Sequence, residues 1–141
     1  MEPTHTSPLP PDDAELVAAA RAAHARAHAP YSAFAVGAAL RTRAGRVVAA
    51  CNVENASYGL SICAERSAVV AAVAVEGPGM RVEAIAVASE AQSCPPCGAC
   101  RQVLAEFGRD ARVVFPHRGG LAVMTVAELL PVAFELAPPG H

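Results

Sequence analysis

Lysine is absent from this chain. All eleven basic residues are arginines, scattered through 141 residues, and the formal net charge is -2. A protein that grips a polyanion concentrates positive charge on one face or along one helix. No such stripe exists here, so nucleic acid is not an expected partner. Also missing is an uncharged apolar run of about eighteen residues, the length a membrane-spanning helix needs, so no membrane association is expected. The opening residues have neither the charged n-region nor the apolar h-region of a secretory signal. No internal repeat is visible. Disulfide pairing finds no support either. The five cysteines are an odd number, and without a secretory signal such a set points to metal-binding or catalytic use in the reducing cytoplasm.

What is present suits one globular domain. Hydrophobic residues make up 53% of the chain, much of it alanine, and the length is enough to bury a core. Residues Met1 to Pro11 hold Pro3, Pro8, Pro10 and Pro11 without periodicity and are expected to form a flexible tail, with the domain spanning 12–134 and a second loose tail over 135–141. Asp12 or Asp13 can cap a helix running to about His28, with Leu16, Ala20, Ala23 and Ala27 on its apolar face and Pro30 as its stop. His24 and His28 ride on it. No Cys or carboxylate stands near them in sequence, which favours surface or packing roles. Val36–Thr42 and Arg46–Asn52 read as a hairpin about Ala44-Gly45.

The polar loop Asn52 to Gly59 leaves that hairpin. Its asparagines and glutamate fit either the rim of a site or ordinary turn chemistry, and spacing alone does not choose. Ile62–Val75 reads as a helix with Val69, Val70 and Val73 inward, ended by Gly77-Pro78-Gly79. Arg81–Ser89 is expected as a buried strand and Gly98–Phe107 as a helix closed by Gly108. Ala111–Phe115 and Leu121–Met124 complete the strands. Thr125, with Glu128 three residues on, opens a last helix to Leu130 as a capping box. Pro138-Pro139-Gly140 is a loose end. Strands alternating with helices after a hairpin predict an α/β fold, a mixed five-stranded sheet with helices on both faces.

The chemistry concentrates between Cys63 and Cys100. Cys97 and Cys100 are spaced C-x-x-C at a helix start, and Cys63 stands at another. The partial positive charge of a helix N-terminus lowers a thiol pKa toward the thiolate that metals require. Three thiolates on one ion leave a fourth tetrahedral position for water, the mark of a catalytic zinc. Glu65, two residues after Cys63, is placed to move that water's proton. On an isolated helix it would be no more than a first-turn complement to the dipole; beside three cysteines, catalysis is the stronger reading. Arg66 can hydrogen-bond a thiolate and offset the negative cluster, or lie on the helix surface. A competing reading joins Cys94, Cys97 and Cys100 with Cys63 in a closed structural zinc or iron–sulfur site. Cys94 precedes Pro95-Pro96, which directs it away from the helix start. Cys51, inside a strand, is read as a buried small hydrophobe.

Cys63-Ala64-Glu65 followed by Pro96-Cys97-Gly98-Ala99-Cys100 resembles the three-cysteine signature of the zinc deaminases. More narrowly, the chain is similar to the small cytidine deaminases over roughly Asp13 to Phe134. The likeness runs through Pro30-Tyr31-Ser32-Ala33-Phe34, Val36-Gly37-Ala38-Ala39-Leu40, Asn52-Val53-Glu54-Asn55-Ala56-Ser57-Tyr58, Arg101-Gln102-Val103-Leu104 and Glu128-Leu129-Leu130-Pro131. The resemblance implies one zinc ion per subunit on Cys63, Cys97 and Cys100, with Glu65 as the proton carrier. It implies hydrolytic deamination of cytidine and 2′-deoxycytidine to the uridines and ammonia, in pyrimidine salvage. It places Asn52 and Glu54 on the ribose hydroxyls, Phe34 on the pyrimidine ring, and Ala64 with Glu65 at the base edge. It further implies a homotetramer in which Ala56 and Tyr58 reach a neighbour's site and Phe134 closes one from a third subunit. Ala35 and Ala50 depart from the Pro and Gly common in the family, and Cys94 is an additional thiol. Alternatives are a deaminase of a cytosine-nucleoside antibiotic such as blasticidin S, which shares both zinc motifs, and a non-catalytic protein with a closed zinc site. A polynucleotide deaminase is disfavoured by the missing basic groove.

Overall fold

The computed structural model describes residues 2–5 and 9–137. Chain order is β1 (Thr4–His5), α1 (Pro11–His24), β2 (Val36–Thr42), β3 (Val47–Cys51), a 3₁₀ turn (Tyr58–Leu60), α2 (Ala64–Glu76), β4 (Val82–Ser89), α3 (Gly98–Phe107), β5 (Arg112–His117), β6 (Gly120–Thr125) and α4 (Val126–Leu129). The sheet runs β1-β6-β5-β4-β2-β3. Only β4 and β5 are parallel, joined by the α3 crossover; the other pairs are antiparallel. The five expected strands are all present. A sixth, two-residue strand comes from the stretch expected to be a tail, where Thr4 and His5 pair with Val123 and Ala122. The loose end expected at Pro138-Pro139-Gly140 lies outside the described residues.

Period-two alternation divides the core into two layers. Ala38, Leu40, Ile85, Val87, Val113 and Phe115 point to the face covered by α2 and α3. Ala39, Ala84, Ala86, Ala88 and Val114 point to the other, against Leu16, Val17 and Ala20 of α1. The α1 face of the sheet is mostly alanine, which lets that helix approach closely. The approach is tightest at Gly37, where a Cβ would stand 2.0 Å from Ala20 O and 2.5 Å from His24 N.

Several local expectations are corrected. Helix α1 begins at Pro11, which sits in the first turn, where its missing N–H costs nothing. Neither Asp12 nor Asp13 caps it. Asp13 is buried and paired with Arg112 at 2.8 Å. The helix ends at His24 because His28 is drawn into an extended bridge beside Val53: its N–H donates to Asn52 O at 3.1 Å and its C=O accepts from Glu54 N at 2.8 Å. Ala27 therefore lies outside it. On α2, Val69 is buried and Val73 half-buried, but Val70 is 61% exposed; Ala64, Ala68 and Ala72 fill the inward face instead. Cys51 ends edge strand β3 half-buried rather than buried. Thr125 caps α4 by accepting from Glu128 N at 3.1 Å.

Gly37→Ala is expected to cost about 2 kcal/mol or more through overpacking, measured as a fall in the unfolding midpoint. Gly79→Ala, whose Cβ meets nothing within 4 Å, is the control and should stay within about 0.5 kcal/mol.

Candidate active site and metal centre

Strands β3 and β4 are both antiparallel to β2 and so run in the same direction. Their carboxyl ends emerge at one edge of the sheet, the usual edge for sites in α/β folds. Each feeds a helix there. Cys63 is the N-cap residue of α2 and Cys97 that of α3, both with extended backbone. Cys100 lies in the first turn of α3. The three Sγ atoms fall within 4.8 Å of one another, with Cys63 and Cys97 3.8 Å apart and Cys97 and Cys100 3.4 Å apart.

A tetrahedral zinc with bonds of about 2.3 Å holds its sulfurs about 3.8 Å apart. The cluster fits such an ion on three thiolates, with one position to spare. Cys94 stands outside it. Its N–H donates to Pro116 O at 2.9 Å, and its side chain packs against the core and hydrogen-bonds Ser89, with burial pushing the thiol pKa up. Among the described residues the four-cysteine arrangement is therefore absent.

Charge within the cluster is uneven. A hydrogen bond from Cys100, then those from Arg66 and Cys97, hold the Cys63 thiol down to about 5 against the effect of burial. Cys100, the donor of that bond and itself buried, is pushed up. Arg66, half-buried, points Nη2 at Cys63 Sγ across 3.4 Å. Glu65 is only 5% exposed. Burial raises its carboxyl pKa, and the neighbouring Cys63 charge adds to the rise. Ala64, fully buried, opens the helix beside it.

The polar loop does turn chemistry and faces a small cavity at once. Asn52 Oδ1 accepts from Val36 N at 2.9 Å and its Nδ2 donates to Phe34 O at 2.8 Å. The carboxamide thus clamps the turn at Ala33, which adopts φ 56°, and sets the half-exposed Phe34 ring. Glu54 Oε1 accepts from the N–H groups of Tyr31 and Ser32, and Oε2 accepts from the Ser32 hydroxyl. The Ser32 bond is the main cause that lowers the Glu54 pKa. Tyr31, Ser32, Glu54, Tyr58 and Ser61 line a cavity of about 250 Å³, and Tyr58 stacks edge-on to Tyr31 at 5.8 Å. Ala56, Tyr58 and Phe134 are exposed; a single chain does not gather them onto the cysteine cluster.

Three supporting residues lie in stretches that carry the resemblance but have no role assigned from sequence. Ser32 holds Glu54. Arg101 donates to Pro96 O at 2.8 Å and Leu129 O at 2.9 Å, tying the loop before Cys97 to the end of α4. Gln102 binds the backbone of Phe134. Arg101 carries one legible sign, being four residues beyond one cysteine and adjacent to another. A cavity of about 610 Å³ lies between α1 and the loops around β4 and β6 and is lined by none of the predicted site residues.

Comparison with known proteins gives a consistent result. Residues 10–116 match the family described as the cytidine and deoxycytidylate deaminase zinc-binding region. A cytidine deaminase of Halalkalibacterium halodurans is 46% identical over 121 residues, covering 84% of this chain and 91% of that protein. The crystal structure of cytidine deaminase from Burkholderia pseudomallei superposes with a TM-score of 0.80 at 50% identity, covering 86% of this chain and 98% of that one. A blasticidin-S deaminase of Bacillus cereus is more distant, 29% identical over 70% of this chain and 76% of that protein.

In metal-stripped protein, Cys63 is expected to react with iodoacetamide with an apparent pKa near the value of about 5 given by its surroundings. Arg66→Met removes a donor and a positive charge that favour the thiolate, so the apparent pKa should rise. Mass-spectrometric labelling against pH reads this directly, and an unmoved profile would refute the assigned role of Arg66.

Proposed function

Because the chain belongs to the cytidine and deoxycytidylate deaminase family, we propose that it converts cytidine and 2′-deoxycytidine, with one water, to uridine and 2′-deoxyuridine plus ammonia. The observation that carries this reading is the convergence of Cys63, Cys97 and Cys100 at two helix N-termini with a buried Glu65 beside them. The three thiolates would hold one zinc ion per subunit, which when bound supplies the Lewis acid that makes water nucleophilic near neutral pH. Glu65 takes one proton from the attacking water and passes it to N3 of the base, then takes the second from the new C4 hydroxyl and gives it to the departing amino group, which leaves as ammonia. Burial suits it to this, since a raised carboxyl pKa keeps the protonated form accessible.

The other roles are those that the resemblance implies. The Ala64 backbone and Glu65 meet the base edge, and Phe34 packs on the ring. Asn52 keeps one N–H and one lone pair beyond its two backbone bonds for a ribose hydroxyl. Glu54, held ionised by Ser32, accepts from another. A carboxylate beside the sugar also favours cytidine over blasticidin S as substrate. A kinetic preference for the antibiotic would reverse that order.

The working unit in this reading is a homotetramer, with Ala56 and Tyr58 reaching one neighbour's site and Phe134 another's. Support comes from apolar side chains that one chain leaves in water: Val70 at 61%, Tyr58 at 75% and Phe134 at 73% exposure. Pyrimidine salvage in the reducing cytoplasm suits unpaired thiols that bind metal. Among the described residues no helix is long and apolar enough to cross a membrane.

Glu65→Ala should retain one zinc per chain and lose about a thousandfold or more in turnover. Loss of cytidine absorbance, with metal analysis beside it, reads both, and an active variant would sink the mechanism. Cys63→Ala should lose the metal. Val70→Glu should shift sedimentation from a four-chain species to smaller ones; an undisturbed tetramer would remove α2 from the interface.

A further inference from the structure

We propose that Gln102 is a positioning residue that holds the aromatic ring of Phe134 in place for catalysis. The proposal rests on the reading that Phe134 closes a neighbouring subunit's site. Gln102 lies on α3, two residues beyond Cys100, and is half-buried as a residue. It engages both backbone polar groups of one residue: Nε2 donates to Phe134 O at 3.0 Å, and Oε1 accepts from Phe134 N at 3.3 Å. A planar amide that closes such a ring acts as a one-residue β-partner and fixes the orientation of the peptide it binds.

Burial does not do this work. The Phe134 ring is 73% exposed, with Val132 at 91% and Leu136 at 80%. The segment is fastened by polar ties, the Gln102 pair and an Arg109–Glu135 ion pair, while its apolar side chains face outward. An exposed salt bridge is a weak tie, which leaves the amide pair as the contact that sets where residue 134 sits. Helix α3 also carries Cys97 and Cys100. One helix therefore places ligands for its own site and, through Gln102, the ring offered to another. A loose segment would have to be ordered each time substrate is enclosed, and that entropy would be taken from binding.

The test is steady-state cytidine kinetics on zinc-loaded, assembled protein for wild type, Gln102→Met, Phe134→Ala and the double variant. Methionine keeps the length of the side chain and removes both hydrogen bonds. Gln102→Met should raise KM about fivefold, the effect of losing one or two net hydrogen bonds, and leave kcat within about twofold. Zinc content and sedimentation should not change, and amide exchange at Phe134 should accelerate. The double variant should be no worse than Phe134→Ala, since without the ring there is nothing left to position. Multiplying effects in the double variant, or lost zinc or assembly in Gln102→Met, would overturn the proposal in favour of a general structural role. A raised KM in Phe134→Ala with an unmoved KM in Gln102→Met would overturn the clamp alone. An unmoved KM in Phe134→Ala would overturn the reading beneath it, and the positioning role of Gln102 with it.

Discussion

Two helices point their positive ends at one spot, and the rest of the molecule depends on that. The cause lies in the sheet. With β2 between them, β3 and β4 share a direction, so the helices that follow both begin at the same edge. Each begins with a cysteine as its N-cap. Three sulfurs within 4.8 Å are a costly arrangement for anions, and the thiols answer by ionising unequally: Cys63 is held down while Cys100 is pushed up. A divalent cation resolves that conflict, because it favours the thiolate at every position at once. The helix termini and Arg66 supply the remaining positive field without adding a ligand.

The alanine-rich side of the sheet serves the same site from behind. Gly37 lets α1 lie almost on the backbone of β2. Its neighbour Val36 gives its N–H to Asn52 Oδ1, and Asn52 returns a bond to Phe34 O. Packing on one face thus fixes the start of β2, which fixes the turn carrying Phe34 on the other. His28 joins the arrangement through paired backbone bonds to Asn52 and Glu54. The early end of α1 is therefore part of how the loop is built: continuing the helix to His28 would withdraw the partner that Asn52 and Glu54 need.

Local chemistry was legible in the sequence where a residue acts through its own neighbours. Helix α3 runs over the Gly98–Phe107 span read from its apolar spacing, and the Thr125 cap forms as its pattern indicates. The three cysteines and Glu65 were legible because their types are rare in such spacing. Residues that act at a distance were not. Asp13 looked like a cap because its partner, Arg112, lies far along the chain. Val70 looked inward because helical periodicity does not say which of two adjacent valines meets the sheet. Arg101 and Gln102 bind backbone atoms of Leu129 and Phe134, and a backbone partner leaves no mark in the sequence. The strand at Thr4–His5 is two residues long and pairs with β6 far along the chain, so proline content concealed it.

In the proposed reaction, two carboxylates would divide opposite tasks between one loop and one helix. Glu54 and Glu65 start from the same chemistry. Glu54 is half-buried in the loop, and the Ser32 hydroxyl, aided by the N–H groups of Tyr31 and Ser32, lowers its pKa. Glu65 lies in the interior, where desolvation raises it. On that proposal, a group that would only accept hydrogen bonds from a sugar gains from staying ionised. A group that must take up a proton and give it back gains from having both states within reach. Pushing two pKa values apart by environment is a general way to assign such roles. Here the separation needs no residue beyond those that build the fold: a serine in the loop after α1, and the core packed around the first turn of α2.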